Sequence, residues 1–337
     1  MNIKELLSGL HKQSISKIFK EDAIMRILIT AIGSMSAECA IKKLKESGNY
    51  VVGCDIYPKE WHYETTLCDM FYQAPFATDE SKYVQFLLDV CRGQDLKYII
   101  PLTDLEIDVI NRNRQLFDER GITLCMQTEK VLDVVRNKYK LYKYFEKDDN
   151  VPSVKTCLLT NLDDTMIYPC IAKPYNGRSS EGLIRNASKE QVLAIADKEN
   201  YIIQEQIKGN VFTVDYCRSS KSGTACAVPR QELLRTKNGA GLTVETSCDE
   251  SLIKLVSYIG CKLAVNGCVN MEFISNNGKY YLIDINPRFS AGIAFSVMQG
   301  YDMVNNHVRC YTGEEIDGQI DITEHILIKK YKEVAIR

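Results

Sequence analysis

The first third of the 337-residue chain alternates buried strands with amphipathic helices, and this order restricts the folds open to it. The segment "RILITAIGS" (26–34) is typical of a buried strand that ends in a glycine turn, and "AECAIKKLKESG" (37–48) is typical of a helix that stops at its glycine. A second buried strand, "YVVGCDIYP", ends at Asp55. Because strands joined by helical crossovers run parallel, the pattern predicts one half of a doubly wound sheet.

The segment 96–126 repeats this scheme and places two acids after a strand. A strand reaches Pro101, and Asp104 and Glu106 follow where a helix starts. Ligands of doubly wound sheets bind at the carboxyl ends of the strands, so both acids are candidate substrate residues, while helix capping is the alternative role for Asp104. The turn "AIGSMSA" lacks the G-x-G-x-x-G pattern, which argues against a dinucleotide site. We predict a first domain over 26–126.

The rest of the chain is richer in strands. Between residues 127 and 201, a charged amphipathic helix precedes short strands and a Gly/Ser loop, which we interpret as a small subdomain. From 202 to 337, strands such as "VFTVDYCRS" and "KYYLIDINP" alternate with helices, which predicts an antiparallel α+β region. Residues 1–25 carry Ile3, Leu6, Leu7 and Leu10 at helical spacing and predict a short helical extension at a surface or subunit interface.

Charge and cysteine content exclude several classes of protein. The 42 basic and 44 acidic residues give a net charge of −2, which argues against a general nucleic-acid or membrane binder. The 13 cysteines contain no C-x-x-C pair, so we interpret them as core residues in a reducing compartment and expect a cytoplasmic protein. The 4 histidines are scattered along the chain, which disfavours histidine-based catalysis.

Two lysines suggest a polyphosphate site. Lys138 lies at the start of a helix, and Lys173 ends a buried strand. The loop after Lys173 carries Gly177, Ser179, Ser180 and Gly182. Loop N–H groups can cradle phosphate oxygens while an ammonium group neutralises their charge. Taken alone, a lysine at a strand end is more often a solvated charge.

The segment "YYLIDINPRFSAG" (280–292) places polar side chains in what otherwise resembles a buried strand. Alternation directs Asp284 and Asn286 to one face. The other face is expected to carry Tyr281, Ile283 and Ile285. Together with Glu272 on the preceding strand, the first face offers the hard oxygen ligands that Mg²⁺ prefers. Arg288 follows the strand and suits a bidentate clamp on a carboxylate or phosphate.

In their order along the chain, these motifs resemble the ATP-grasp superfamily. The nearest likeness is to the synthetase halves of the carbamoyl phosphate synthase large subunit and to related amino-acid and peptide ligases. The resemblance spans residues 26–313 and is carried by "IAKP…GRSSEG", "IIQEQIKG…TVD" and "MEF…YYLIDINPRFSAG". It implies an α/β plus α+β architecture, in which a Rossmann-like pre-ATP-grasp domain precedes an ATP-grasp fold with a lid subdomain.

The resemblance also implies a role for each matching residue. Lys138 and Lys173 would contact the nucleotide phosphates, and Arg288 and Lys173 would act in catalysis. The other implied contacts are Ser179, Ser180 and Gly182 in the lid, Gln204, Glu205 and Ile207 at the adenine, and Glu272, Asp284 and Asn286 at the metal. Val211 replaces the acid that binds ribose in the family, which makes Asp215 the candidate for part of that contact.

The implied activity is an ATP-dependent carboxylate-amine ligase that forms an acyl phosphate and releases ADP and phosphate. ATP and two Mg²⁺ ions would be the cofactors, with Mn²⁺ as the alternative metal, and the substrate would be an amino acid, a dipeptide or a carboxylated sugar. Its binding residues would be Asp104, Glu106, Arg230 and Arg235, although a solvated basic hairpin is the alternative interpretation of the two arginines. A carbamoyl- or carboxy-phosphate synthetase and a non-catalytic ATP-binding regulatory protein are the alternative functions. The helical extension is compatible with a homodimer.

Overall fold

The computed structural model describes residues 24–162, 165–177 and 180–336, which form three β-sheets and the helices that cover them. The strands are β1 (Arg26–Ile29), β2 (Tyr50–Asp55), β3 (Met70–Gln73), β4 (Tyr98–Ile100), β5 (Thr123–Leu124), β6 (Thr156–Leu158), β7 (Cys170–Pro174), β8 (Ile184–Ala187), β9 (Tyr201–Glu205), β10 (Asn210–Arg218), β11 (Ala225–Arg235), β12 (Gly241–Thr246), β13 (Gly267–Asn276), β14 (Lys279–Asn286) and β15 (Ile326–Ile328). The α-helices are α1 (Ala37–Glu46), α2 (Glu80–Gly93), α3 (Asp104–Arg112), α4 (Arg114–Asp118), α5 (Glu129–Val135), α6 (Lys138–Phe145), α7 (Lys189–Leu193), α8 (Glu250–Lys262), α9 (Ile293–Met298) and α10 (Met303–Thr312). Short 3-10 helices span Lys59–Trp61, Tyr63–Thr66, Leu159–Asn161 and Lys198–Asn200. The predicted lid residue Ser179 and nearly all of the predicted helical extension lie outside the described residues.

The N-terminal region forms a five-stranded parallel sheet in the order β3-β2-β1-β4-β5. Ile27, Leu28 and Ile29 on the central strand β1 are completely buried, because apolar clusters cover both faces of the sheet. The strand order reverses between β1 and β4, so the loops that follow these strands open a crevice at their carboxyl ends. The predicted doubly wound arrangement is confirmed.

The C-terminal region forms a six-stranded antiparallel sheet in the order β14-β13-β10-β11-β12-β15. Its two faces differ in chemistry. Val214 and Tyr216 on β10 enter an apolar core that also includes residues of α8, whereas the alternate residues Thr213 and Asp215 lie on the opposite face. This second face is polar and forms the floor of the candidate site described below. The predicted antiparallel part of the fold is also confirmed.

A third, four-stranded antiparallel sheet in the order β6-β9-β7-β8 forms a small layer with its own apolar core. Strand β9 pairs with β6 and β7, and it lies across the division that the sequence predicts between residues 201 and 202. Helices α5 and α6 instead place Val131, Leu141 and Phe145 in the core of the six-stranded sheet. The chain therefore passes from the small sheet to the six-stranded sheet between Glu205 and Asn210.

Buried polar contacts join the N-terminal region to the six-stranded sheet. His307 on α10 accepts a hydrogen bond at Nδ1 from the backbone N–H of Cys268 (2.8 Å), and its Nε2 lies 3.0 Å from the carbonyl oxygen of Cys125. The side chain of Gln127 donates to the carbonyl oxygen of Asn266 (2.7 Å). Burial lowers the pKa of His307 to about 4, although the Cys125 carbonyl opposes this shift. His307 therefore joins the two regions as a neutral side chain at neutral pH.

Candidate active site

A cavity of about 880 Å³ lies where the three sheets meet. Its walls come from the loops after β1 and β4, from the polar face of the six-stranded sheet, and from β7 and β9 of the small sheet. The predicted site residues that line it are Asp104, Lys138, Lys173, Ser180, Gln204, Glu205, Ile207, Arg230, Arg235, Glu272, Asp284, Asn286 and Arg288. Glu106, Gly182 and Asp215 are not among the lining residues. The fold thus brings most of the predicted residues to one cavity from positions far apart in the chain.

The three predicted metal ligands occupy neighbouring positions on β13 and β14. Glu272 lies directly opposite Asp284 in the strand register, and Asn270 lies directly opposite Asn286. Two like charges directly opposite each other on one face destabilise a sheet. Positive charge close to the pair offsets this repulsion, and in the structure two basic side chains supply it.

A β-bulge in β14 determines which side chains face the cavity. The register shifts between Glu272 and Phe273, so that Ile283 is an extra residue on β14. Asp284 and Asn286 line the cavity as predicted, but the prediction that Ile283 packs away from the site is wrong, because Ile283 lines the cavity beside Asp284. Leu282 and Ile285 fill the core positions instead. Simple alternation fails here because the bulge places two successive side chains on the same side of the strand.

Each carboxylate of the pair has its own basic partner. Arg235 donates from Nη1 to Oε1 and from Nη2 to Oε2 of Glu272, both over 3.1 Å. Nζ of Lys138 lies 3.0 Å from Oδ2 of Asp284 and also donates to the carbonyl oxygen of Gly177 (3.0 Å). Lys138 therefore links the acid on β14 to the Gly/Ser loop of the small sheet.

Lys173 is a buried cation that faces the cavity from the end of β7. Burial lowers its pKa from 10.5 to about 8, although the carboxylate of Asp284 opposes this shift, and the nearby ammonium group of Lys138 lowers the pKa further. Within the described ranges it makes no hydrogen bond or ion pair, and only 8% of the residue is exposed. A polyphosphate would supply the anionic partner for the ammonium group of Lys173.

The Gly/Ser loop above the carboxylates has a constrained backbone. Ser180 adopts a positive φ of 59° and Gly182 one of 68°. A side chain at Gly182 would collide with the hydroxyl of Tyr201, which donates to the Gly182 carbonyl oxygen (3.0 Å). Ser180 lines the cavity, whereas Gly182 shapes the turn behind it. Ser180 and its neighbour Glu181 are therefore the described lid residues on the cavity side.

The cavity lining also includes three apolar residues, Val211, Ile274 and Ile283, of which Val211 and Ile274 lie opposite each other on β10 and β13. Gln204 fixes β9 to β6 by donating to Thr156 Oγ1 (2.9 Å). Ligand sites commonly combine apolar side chains with a few polar groups, a combination that suits a purine ring. The two apolar residues Val211 and Ile274 were not among the predicted contacts, although Val211 had been noted as a departure from the family pattern.

Asp215 belongs to a closed polar network and not to the ribose end of the cavity. Its carboxylate accepts hydrogen bonds from Arg230 (2.7 Å), Ser296 (2.7 Å) and Asn270 (3.0 Å). Arg230 also donates to Ser290 Oγ (3.2 Å). Only 4% of Asp215 is exposed, which leaves no room for a ribose hydroxyl. The structure therefore gives this acid the role of holding Arg230.

The two acids of the β4–α3 loop have different environments. Arg288 donates to both carboxylate oxygens of Asp104, from Nε (3.1 Å) and Nη2 (3.0 Å). Burial of Asp104 opposes its ionisation, but the charges of Arg288 and Arg136 outweigh this effect and lower its pKa. Asp104 thus orients Arg288 from the N-terminal region.

Glu106, in contrast, turns away from the cavity into the N-terminal region. Its carboxylate accepts hydrogen bonds from Thr30 (2.8 Å), Thr103 (2.7 Å) and Tyr83 (2.7 Å). Burial raises its pKa, although these three hydroxyl groups oppose the shift. All of its observed partners are structural, so the predicted contact of Glu106 with a substrate has no support from its position.

Period-two counting would have found two further residues that line the cavity. Asn270 lies two positions before Glu272 on β13, and Glu232 lies two positions after Arg230 on β11. The side chain of Glu232 is only 2% exposed, and its Oε2 has no hydrogen-bond partner among the described residues. Both residues share a strand face with a predicted one, and this is the signal that sequence reasoning did not use.

The site fits a metal ion that arrives with phosphate groups. Within the described ranges, no cluster of three or more His, Cys, Asp or Glu side chains is placed to hold a metal. The predicted set supplies two carboxylates, Glu272 and Asp284, and the amide of Asn286. Mg²⁺ is commonly held by one or two carboxylates, with phosphate and water as its other ligands. The donor set therefore matches nucleotide-bound Mg²⁺ better than a site built from protein alone.

Comparisons with protein families define the class of this chain. Residues 135–292 match the family model of the ATP-grasp domain, and residues 27–125 match that of the PylC-like N-terminal domain. The chain therefore carries an ATP-grasp domain behind a PylC-like N-terminal domain. The resemblance to the ATP-grasp superfamily that the sequence indicated is confirmed.

Among curated proteins, the chain is similar to the arginine-specific large chain of carbamoyl phosphate synthase from Geobacillus stearothermophilus. The two are 22% identical over 267 residues, which cover 73% of this chain and 24% of that protein. The chain thus spans about a quarter of the relative's length.

Two solved structures share the fold. One is the biotin carboxylase domain dimer of Hydrogenobacter thermophilus 2-oxoglutarate carboxylase in complex with MgADP, ADP and bicarbonate, with a TM-score of 0.75 at 17% identity, covering 89% of this chain and 73% of that chain. The other is the L-amino acid ligase of Bacillus licheniformis, with a TM-score of 0.65 at 14% identity, covering 84% and 72%. At these identities, the similarity shows the ATP-grasp fold alone.

Proposed function

We propose that this protein is an ATP-dependent ligase that activates a small carboxylate as an acyl phosphate and joins it to an amine, releasing ADP and phosphate. The observation that carries the proposal is the opposed carboxylate pair, Glu272 and Asp284, which faces Lys173 and Arg288 across one cavity. Phosphoryl transfer depends mainly on positioning and on neutralising charge, and these residues supply both.

The residues of the chain divide this work between them. Lys138 and Lys173 bind the phosphate oxygens, and the Gly/Ser loop covers them. Glu272, Asp284 and Asn286 would hold Mg²⁺, which neutralises phosphate charge when it is bound. The proposal includes two metal ions at this site, with Mn²⁺ as the alternative metal.

The carboxylate substrate is expected to lie beyond the metal pair. Arg288 points into the cavity under the control of Asp104, and its planar guanidinium suits a carboxylate that receives a phosphoryl group. Arg235 is the second accessible guanidinium on this side, whereas Arg230 is enclosed by the network around Asp215. An amino acid, a dipeptide and a carboxylated sugar all present the carboxylate that these arginines would recognise.

A second candidate activity is a carbamoyl- or carboxy-phosphate synthetase. The similarity to a carbamoyl phosphate synthase large chain favours this alternative. In that case, bicarbonate or carbamate would replace the amino-acid carboxylate beside Arg288. A nucleotide-binding protein without turnover is the remaining alternative. Nucleotide binding alone does not require an arginine such as Arg288 in the same cavity as the carboxylate pair.

Release of ADP tests these alternatives. Purified protein would be incubated with Mg-ATP and, separately, with pools of amino acids, dipeptides and sugar acids, and with bicarbonate plus ammonia. We expect ADP release to rise with one of the amine-containing carboxylate pools. Stimulation only by bicarbonate plus ammonia would favour the synthetase. Bound ATP without stimulated turnover by any pool would refute ligase activity.

An Arg288→Lys variant tests the site assignment. It keeps the positive charge but loses the bidentate geometry, so turnover should fall at least about a hundredfold while nucleotide affinity remains near that of the wild type. The matched control is Arg112→Lys, because Arg112 also donates from Nε and Nη2 to a carboxylate, that of Glu80, on the surface of the N-terminal region. Normal turnover in Arg288→Lys would show that Arg288 has been assigned the wrong role.

The remaining predictions concern partners and location. We propose small-molecule carboxylate and amine substrates as the partners. A homodimer and a cytoplasmic location stay predictions, and light scattering on the purified protein would test the dimer. None of the helices in the described ranges is both long and apolar enough to cross a lipid bilayer.

A further inference from the structure

The ion pair between Arg235 and Glu272 closes the metal site from one side. Each of the three guanidinium nitrogens makes a hydrogen bond: Nη1 and Nη2 donate to the two oxygens of Glu272, and Nε donates to the carbonyl oxygen of Gly239 (2.8 Å). The side chains are 22% and 24% exposed, so both are open to the cavity. Forked pairs of this kind are among the stronger hydrogen-bonded contacts in proteins.

This pair competes with a metal ion for the same oxygens. Mg²⁺ needs a carboxylate oxygen of Glu272, and both are occupied by N–H donors of a cation. A second cation next to the guanidinium would also be repelled. Asp284 is less restricted, because the ammonium group of Lys138 reaches Oδ2 alone and Oδ1 accepts the neutral backbone N–H of Ile285 (3.0 Å). Metal binding therefore requires Arg235, more than Lys138, to move.

The local backbone allows Arg235 to leave. The register between β11 and β12 shifts twice near this residue, between Glu232 and Leu234 and again between Leu234 and Arg235. Beyond Arg235 the chain forms a tight turn in which Gly239 has a positive φ of 89°. Irregular pairing at the end of a hairpin leaves few ladder hydrogen bonds to break when the side chain changes direction.

The direction of movement is set by the cavity. A Cβ atom at Gly239 would lie 3.3 Å from Arg235 Nη2 and 3.7 Å from Ser180 Oγ, so the turn lies close to both the arginine and the Gly/Ser loop. The cavity lining also includes Glu232, whose charge acts on Arg235 but whose Oε1 is already shared by Thr213 and Arg230. A guanidinium released from Glu272 remains in this cavity as a cation that suits a carboxylate ligand.

We propose that Arg235 keeps the metal site closed in the free protein, and that binding of metal-nucleotide releases its guanidinium to bind the carboxylate of the substrate. The two ligands then bind in a fixed order, with the metal-nucleotide first. By linkage, the metal-nucleotide strengthens carboxylate binding by the same factor that the carboxylate strengthens metal binding. This inference rests on the proposed ligase function, but its main test does not require turnover.

The test is a titration with Mn²⁺ in the presence of a non-hydrolysable ATP analogue, followed by electron paramagnetic resonance of the free Mn²⁺. Wild-type protein would be compared with Arg235→Ala, with Arg235→Lys, and with the remote control Arg112→Ala. Removing the competing guanidinium should tighten Mn²⁺ binding about tenfold in Arg235→Ala, with an intermediate gain in Arg235→Lys and no change in Arg112→Ala. Circular dichroism would confirm that each variant is folded.

A second measurement follows the released guanidinium. With the carboxylate substrate identified by the ADP-release screen, its KM should rise at least about tenfold in Arg235→Ala, although the metal binds more tightly. Opposite changes for the two ligands are not expected from a purely structural role. Mn²⁺ affinity that is unchanged or weaker in Arg235→Ala would overturn the inference, whereas failure of the wild type to bind metal-nucleotide at all would instead refute the proposed function.

Discussion

Replacing Lys173 with methionine should make the protein more stable while removing nucleotide binding. Methionine keeps most of the length and volume of the side chain but removes the ammonium group from its buried position. The pKa of Lys173 lies at about 8 against an ordinary value of 10.5. Because one pKa unit corresponds to about 1.4 kcal/mol, holding this proton in the folded state at pH 7 costs about 3 kcal/mol.

The stability advantage of Lys173→Met should shrink as the pH rises. Between pH 8 and 10.5, the unfolded chain keeps a proton on Lys173 that the folded chain has released, so wild-type stability rises with pH in this window. Below pH 8 both states are protonated and the full cost applies. The advantage of Lys173→Met should therefore be about 3 kcal/mol at pH 7 and about 1.4 kcal/mol at pH 9.5.

Urea unfolding of both proteins at the two pH values measures this difference, and nucleotide binding is measured separately by calorimetry. Lys254→Met is the matched control, because Lys254 lies on the exposed side of α8, where it pairs with Glu250. Its stability should stay within about 0.5 kcal/mol of the wild type. A Lys173→Met protein that is less stable than the wild type, or whose advantage does not shrink with pH, would refute the argument from burial.

Three further predictions follow from other contacts. As the pH falls from 6.5 towards 4, the wild type should lose up to about 3 kcal/mol of stability, because the unfolded chain binds a proton at His307 before the folded chain does. Urea unfolding at pH 7 and 4.5 should show a smaller loss of stability for His307→Gln, and an equal loss would contradict the assignment. Asp215→Asn leaves the enclosed Arg230 without its main counter-charge and should lower the free energy of unfolding by about 3–5 kcal/mol. The exposed control Asp89→Asn should change it little. A loss below about 1 kcal/mol in Asp215→Asn would show that the network is not tightly closed. Ile283→Ala should weaken ATP binding about fivefold with little loss of stability, while its neighbour Leu282→Ala should cost about 2–4 kcal/mol of stability; the reverse pattern would place the bulge elsewhere.

The sequence was sufficient for the fold class because its signals are local and periodic. Buried runs separated by helices predicted the parallel sheet, and the motif order from Lys138 to Arg288 predicted which side chains would meet. These residues lie at strand ends or on one face of a strand, where the backbone geometry itself determines their direction.

The features that sequence reasoning missed depend on contacts between distant segments. The bulge at Ile283 is a property of how β14 pairs with β13, and nothing in the local alternation marks it. Asp215 has the right residue type and spacing for a ligand contact, yet Arg230 and Ser296 reach it first from other elements. Glu106 likewise becomes structural only because Tyr83 arrives from α2. A polar side chain can be assigned to a ligand only when its competing partners are known.

The pair between Arg288 and Asp104 connects positions 184 residues apart and has a consequence for how such proteins diversify. The orientation of the arginine at the reacting carboxylate depends on an acid in the N-terminal region, which otherwise supplies none of the predicted nucleotide contacts. A chain that exchanged residues 26–126 for those of a relative would keep its nucleotide site, and it would lose control of Arg288 unless the new segment brought an equivalent acid. A change in residues 26–126 would therefore alter the choice of acceptor and the orientation of Arg288 together, while the ATP-binding residues stay the same.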